Sequence, residues 1–533
     1  MSNYQQQKTV PKGTTTAIAT TNREREVVPT ELKVQAPAPD WKTFGRLTLF
    51  AFSLSFQASW EAVTANIGPN LRNGGPRGLF WGAVIVIPGV LCQAASFAEM
   101  SSMLPIAGAQ YHWTWVLAPK QHRRLITWMQ GWVTWFSWIA TLAGAINLSA
   151  NITTALASAL HPDYTAQGWH TVLIMWAFLL ALGLLNTYGF ALVPWIESVS
   201  AVVHIALWLA VIVLLACFAP RHTPDFIFLG DTTSSGWTGG FVPFCIGASF
   251  TTWGFGAFDS TVHISEDTRN ASHNVPEATF WGLTLNSAMT LVAIAMLCYG
   301  LGNANDVMMD IYPLLRVFKT AIGVGPACGI IVCFLWINVS SCLGSITSVA
   351  RLTWSWSRDG ALPPWFKKID RMVELPVPAI WLPITVVVML SLLNLVNPWA
   401  FAVIISLSSF GLYLSYFTAI ACMVYARATK TVPPRPKSSW TLGRWGLWIN
   451  LYALLHSAFF GIFVVFPVSL PITAANMNYA LPITALVCSL ALVAWFVWAR
   501  KNWAGLDEDI IEKIMRVPLD TEVSYSMDTA GMT

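Results

Sequence analysis

An all-α polytopic membrane protein is the fold class this sequence predicts, and three observations carry it. Of the 533 residues, 55% are hydrophobic and 11% are charged, with a mean hydropathy of +0.56, whereas soluble domains carry about 25% charged residues. Several continuous apolar runs exceed the roughly 20 residues that cross a bilayer as a helix. Lys and Arg collect in alternate loops between those runs, as orientation in a membrane requires. A transmembrane β-barrel would instead show short segments of alternating polarity. The net charge of +4 is small and gives no reason to invoke nucleic acid.

Residues 1–43 are polar and include Pro11, Pro29, Pro37 and Pro39. That composition cannot bury a core, so a disordered cytoplasmic tail is expected. Met1 is not followed by a short apolar core with a cleavage site, so the first membrane helix is expected to target the chain itself. Residues 44–500 then hold twelve candidate membrane helices. Their spans are 44–67, 76–102, 125–158, 169–188, 194–218, 240–265, 276–301, 323–356, 378–396, 398–426, 447–470 and 477–500. Residues 501–533 form a second expected tail.

Basic residues orient this array. Lys120, Arg123 and Arg124 follow segment 2, and Arg358, Lys367, Lys368 and Arg371 follow segment 8. Arg427, Lys430, Arg435, Lys437 and Arg444 follow segment 10, and Arg500 and Lys501 follow segment 12. All share the side of the N-terminus, which predicts that both termini are cytoplasmic. Many of the 28 Trp sit near the span ends, as interfacial anchors do. All nine Cys fall in apolar stretches without a C-x-x-C pair, so they read as small buried hydrophobes rather than metal ligands or a disulfide framework. No metal and no cofactor is expected.

Two segments break the apolar pattern. Segment 1 contains Ser59-Trp60-Glu61, and a carboxylate at membrane depth usually faces a partner, a cavity or a ligand. Segment 6 contains Trp253-Gly254-Phe255-Gly256, followed by Asp259. Interrupted helices at matching positions of two halves point to a transporter site, where half-helix ends and free carbonyls replace a substrate's water shell. Close helix packing at Gly254 and Gly256 is the other reading of the glycines.

The exit of segment 6 carries a resemblance. His263-Ile-Ser-Glu-Asp-Thr-Arg-Asn-Ala-Ser-His-Asn-Val-Pro276 resembles the "H-x-(S/A)-E-E-x-x-N-A-x-x-x-V-P" signature of fungal permeases in the amino acid–polyamine–organocation superfamily. Asn73-Gly-Gly-Pro76, Ala98-Glu-Met-Ser-Ser-Met-Leu-Pro-Ile-Ala-Gly-Ala-Gln-Tyr-His-Trp113 and Ser357-Arg-Asp-Gly-Ala-Leu-Pro363 are similar to the same group. The nearest branch is the amino acid/choline transporter group, with its choline and 4-aminobutyrate permeases. The resemblance implies a five-plus-five inverted repeat with broken helices 1 and 6, two extra helices, and alternating access. It places the substrate between helices 1, 3, 6, 8 and 10.

In the superfamily's α-amino acid carriers, bare N–H groups of a Gly-Ser-Gly-like break hold the substrate carboxylate. Ser59-Trp60-Glu61 departs from that pattern, because an anion and a bulky ring repel a carboxylate. The same residues suit a cation, with Glu61 as counter-ion and ring faces from Trp60, Trp253, Phe255 or Phe258. The substrate-site candidates are therefore Ser59, Trp60, Glu61, Trp253, Gly254, Phe255, Phe258 and Asp259. Packing of Trp60, a structural hydrogen bond of Glu61 and a gating role of Asp259 stand beside that reading.

For proton or ion coupling the candidates are His204, Ser340 and Ser341. Histidine can titrate near neutral pH, and His204 lies on segment 5, where some sodium-independent relatives place a cationic or protonatable side chain. A hydrogen-bonded core histidine and small contact residues are the alternatives. Glu197 lies seven residues away, about 10 Å along a helix, which is too far for direct contact with His204. Glu266 and Asp267 read either as a cytoplasmic gate with the 357–371 loop or as a solvated helix end.

Function follows as an expectation. The chain is read as a secondary active importer of a small amine-bearing solute, choline-like or 4-aminobutyrate-like, coupled to a proton at a plasma membrane. A carrier for a specialised metabolite keeps the same fold, and a non-transporting nutrient sensor is the alternative of another class. No H-E-x-x-H, paired-Asp or nucleotide-binding motif supports an enzyme.

Overall fold

The computed structural model describes residues 43–310, 312–396, 400–433, 440–474 and 476–516. Their regular elements are helices, apart from one isolated bridge between Phe44 and Thr268. The expected N-terminal tail, apart from Thr43, lies outside the described residues, and so does the end of the C-terminal one.

Helix α1 (Arg46–Gln57) ends where Ala58 adopts left-handed values (φ 37°, ψ 44°), and α2 (Ser59–Ala65) starts directly after it. Helix α3 (Ile67–Met103) is kinked at Gly75 (φ 65°, ψ −168°), ahead of Pro76. The short α4 (Gln110–Leu117) leads into α5 (Arg123–Leu160), α6 (Gly168–Tyr188) and α7 (Val193–Phe218). After the small α8 (Pro224–Leu229), segment 6 is again two helices, α9 (Phe241–Trp253) and α10 (Ser260–His263). Next come α11 (Ala271–Tyr299), the short α12 (Ala304–Met309) and α13 (Pro313–Ile322), and α14 (Val324–Arg358). The series ends with α15 (Val377–Ser391), α16 (Ala400–Ala428), α17 (Gly446–Phe463) and α18 (Ala480–Ala494).

Ten of the described helices, α3, α5–α7, α11 and α14–α18, are long and apolar enough to cross a membrane. The sequence count of twelve differs by segments 1 and 6. Each of these is divided into two pieces too short to qualify.

Burial in α7 shows the logic of a chain made for lipid. Glu197, Ser200, Ala201, His204, Leu207 and Val211 form one buried stripe at helical spacing. Val202, Leu209 and Val213 face outward and are exposed. The polar groups turn inward because hydrocarbon offers them no partner.

The interrupted helices meet inside the bundle. Helix α1 packs on α7, α11 and α14, α2 packs on α9 and α11, and α5 packs on α14 and α16. At Gly254 an added Cβ would stand 2.6 Å from Val63 Cγ2 and 3.1 Å from Ser59 O. Only glycine lets the two breaks approach this closely.

Part of the C-terminal segment also packs. Trp503 is buried, and its Nε1 donates to Asp359 O at 2.8 Å. Arg123 pairs at 2.5 Å with Glu508 of helix Glu508–Arg516.

Candidate substrate site

A helix break leaves N–H and C=O groups without helical partners, and side chains take up several of them here. Asn286 of α11 accepts from Ser59 N at 3.1 Å and donates to Leu54 O at 3.2 Å. Gln57 donates to Gly256 O at 2.8 Å and to Gly254 O at 3.3 Å. Tyr416 of α16 accepts from Ala257 N at 3.0 Å, where Ala257 takes a positive φ of 58°. These bonds stabilise a backbone conformation that is otherwise sparsely populated.

Asp259 holds the second break from below. It accepts from Tyr416 OH at 2.6 Å, Trp138 Nε1 at 3.1 Å and His263 Nε2 at 3.2 Å, and also from Gln110 Nε2. Four donors explain how a carboxylate is kept with no exposure at all.

A cavity opens beside the two breaks. Its walls come from α1, α2, α3, α5, the α9–α10 break, α14 and α16, with Tyr312 beyond. Phe56, Trp253, Phe255, Phe334, Tyr413 and Tyr416 supply aromatic surface. Among the described residues that line it, Glu61 is the only Asp, Glu, Lys, Arg or His.

Glu61 carries two environments on one carboxylate. Its Oε1 receives His204 Nδ1 at 2.6 Å, while its Oε2 has no hydrogen-bond partner. His204 is fully buried behind Glu61 and does not line the cavity. The pair joins the substrate-site and proton-site candidates into one unit. Sequence spacing could not show it, because the contact runs from α2 to α7. Glu197 instead accepts from Ser55 Oγ at 2.6 Å.

The other expected residues divide by what they touch. Trp253 and Phe255 line the cavity with Glu61. Ser59, Trp60, Gly254, Phe258 and Asp259 are not among its lining residues. Trp60 packs edge-on against Phe334 at 5.0 Å. Phe258 packs on Phe97 at 5.3 Å and on Tyr416 at 4.9 Å. Gly254 serves the close packing described above. Ser341 lines the cavity and donates to Phe56 O at 2.7 Å. Ser340 is buried outside the lining.

Sequence reading missed Gln57, Gln93, Asn286, Tyr416 and Ser409. A polar side chain inside an apolar run was the available signal, but a run of sequence does not tell which face meets the cavity.

Glu266 and Asp267 sit on the face that carries the start of α1. Glu266 accepts from Arg358 at 3.0 and 3.2 Å and from Ala107 N at 3.1 Å. Asp267 pairs with Arg351 at 2.6 Å. Phe44 N donates to Asp267 O at 3.1 Å, and Arg269 N to Phe44 O at 2.9 Å. These bonds lash the entry to α1 and the exit of α10 to the end of α14. Burial pushes the Glu266 carboxyl upward, but Arg358, the Ala107 N–H and Arg351 together outweigh it and hold it below its ordinary value of 4.5. Next to this pair, His112 of α4 lies 3.3 Å from Asp359 and Tyr111 donates to Asp359 at 2.7 Å. Burial, with Arg358 nearby, pushes His112 well below the ordinary histidine range. Burial raises Asp359 to about 6 against the opposing pull of Arg358.

A family model described as amino acid permease matches residues 44–488. An uncharacterized amino-acid permease of Schizosaccharomyces pombe is 27% identical, over 87% of this chain and 86% of its own length. A choline transporter of Saccharomyces cerevisiae is 23% identical, over 92% of this chain and 86% of its own. A swainsonine transporter of Arthroderma benhamiae is 26% identical, over 86% of this chain and 91% of its own.

Proposed function

This chain belongs to the amino acid permease family, and from that premise we propose that it carries a small amine-bearing cation by alternating access, with its binding linked to a proton. It is a membrane transporter and not an enzyme. The observation that carries the proposal is Glu61, with one oxygen on His204 and the other free at an aromatic-lined cavity. Ring faces add about 0.5–2 kcal/mol per cation contact. The face with the Glu266–Arg358 pair is read as cytoplasmic, because the Lys and Arg residues flank it. The ion pairs close that side while the cavity remains.

The proton linkage follows from charge. With His204 protonated, the pair is neutral and Glu61 has no net charge for cargo. A bound monocation restores neutrality only once that proton has left. Cation binding is therefore expected to release a proton and to strengthen as pH rises. The similarity to the swainsonine transporter supports a second reading, a carrier for a specialised metabolite.

Uptake and binding of choline, 4-aminobutyrate and swainsonine, with the chain expressed in a permease-deficient host, test both readings. Glu61→Gln is expected to weaken binding of the cationic substrate by about 2–5 kcal/mol, roughly 30-fold or more. Unchanged uptake in that variant would remove Glu61 as counter-ion. Binding that ignores pH would remove the proton linkage.

A further inference from the structure

The cavity holds a second group whose hydrogen bonding is incomplete. Gln93 of α3 lines it and is fully buried, and its Oε1 has no partner. The other end of the same amide is fixed. Its Nε2 donates to Ser457 Oγ at 2.8 Å, and Ser457 Oγ donates in turn to Ala453 O at 2.7 Å. Ser457 has given its proton to Ala453, so toward Gln93 it can only accept. The amide nitrogen must face Ser457, and the oxygen is the free end.

A free amide oxygen asks for a donor and repels an acceptor. The surroundings offer a carboxylate no cationic partner, and Tyr312, which also lines the cavity with its hydroxyl unpartnered, can accept as well as donate. None of the described lining residues is Lys, Arg or His. Ser59 N, at the start of α2, already donates to Asn286. Ser409 of α16 also lines the cavity, with Oγ unpartnered, and a hydroxyl completes its bonding with either a donor or an acceptor.

We propose that Gln93 is a specificity-determining residue, which accepts a hydrogen bond from the uncharged end of the cargo. The cavity then selects a cation bearing a neutral O–H or N–H donor over an amino acid zwitterion of the same length. This rests on the reading of Glu61 as the counter-ion. A site built to hydrogen-bond a substrate hydroxyl discriminates strongly, because its own buried group is otherwise left unpaired.

The test uses the purified full chain in detergent and three probes with the same ammonium end: 4-amino-1-butanol, 4-aminobutyrate and butylammonium. Calorimetric titration is expected to give the amino alcohol the tightest binding, by roughly 10-fold over each of the others. Gln93→Met removes the acceptor at similar volume. It is expected to bring 4-amino-1-butanol down to the affinity of butylammonium and to leave butylammonium unchanged. Ser457→Ala, which keeps Gln93 but frees its amide to turn, is expected to narrow the gap between 4-amino-1-butanol and 4-aminobutyrate. Should Gln93→Met fail to fold, this second variant carries the test. Equal wild-type binding of alcohol and acid overturns the role of Gln93, as does an equal loss of all three probes in Gln93→Met. No change of the gap in Ser457→Ala overturns it as well. If none of the probes binds the wild-type chain, the counter-ion reading of Glu61 falls with it.

Discussion

The pair formed by Glu61 and His204 sets the energetics of the centre, because both side chains are buried at membrane depth. A carboxylate and an imidazole taken from water recover the loss only through each other and through hydrogen bonds. Removing one partner leaves the other stranded, at a cost of about 3–5 kcal/mol, whereas replacing both together costs far less. Thermal unfolding in detergent should therefore show His204→Ala to be much less stable than wild type. The double variant Glu61→Gln/His204→Ala should regain most of the difference. A double variant no better than the single one would contradict the coupling. The carboxylate itself was legible in the sequence, since Glu61 interrupts an apolar run. Its partner was not, because 143 residues separate the two. The same holds for Asp259. An acid beside a helix break reads as a substrate contact or as a gate, and the sequence could not show the four donors that hold it.

Among the elements, the interrupted segments 1 and 6 are what a run of sequence announces best. Gly254 and Gly256 beside Trp253, and a carboxylate in each segment, marked both places, and the structure divides the chain at Ala58 and after Trp253. Sequence could not say which atoms the breaks would leave free. Gln57 and Asn286 cover several of them, and both are unremarkable polar residues until the helices are packed. Gly254→Ala tests the contact between the breaks. The added methyl meets Val63 and the Ser59 carbonyl, and backbone cannot yield as a flexible side chain does. Transport is expected to fall by at least 10-fold, with a stability loss of about 1–3 kcal/mol. Transport and melting temperature both at wild-type level would show that the two breaks tolerate separation.

For the molecule as a whole, the proposed cytoplasmic gate is the feature that alternating access would have to undo. Arg358 joins α14 to Glu266, and Arg351 joins it to Asp267. Arg358→Gln should favour opening of this face, read as faster labelling of a cysteine placed at Ala107. Unchanged labelling would mean that the pair is incidental. The pH dependence has a definite sign. Asp359 is raised to about 6 from its ordinary 3.8, so between those values the folded state holds a proton that the unfolded chain has lost. Stability from this group is complete below about 3.8 and is lost as pH rises through 6, worth roughly 3 kcal/mol at most. Glu266 works the other way, adding stability above about 4.5 that is lost as pH falls through its depressed value. Melting temperatures at pH 4.5 and 6.5 should fall more for wild type than for Asp359→Asn. An equal fall in both would assign the change to other groups.

By itself the sequence determined that the chain lives in a membrane as a helical bundle, where its helices run, that two of them are interrupted, and to which family it belongs. Apolar length and polar interruptions are local properties, and the bilayer reads them locally. Tertiary structure alone decided that Glu61 meets His204, that Asp259 turns away from the cavity and that Gln93 turns toward it. Each of these depends on the rotation of one helix against another. In lipid that rotation is set by packing and by the need of every buried polar group for a partner, and neither is written in any single stretch of the chain.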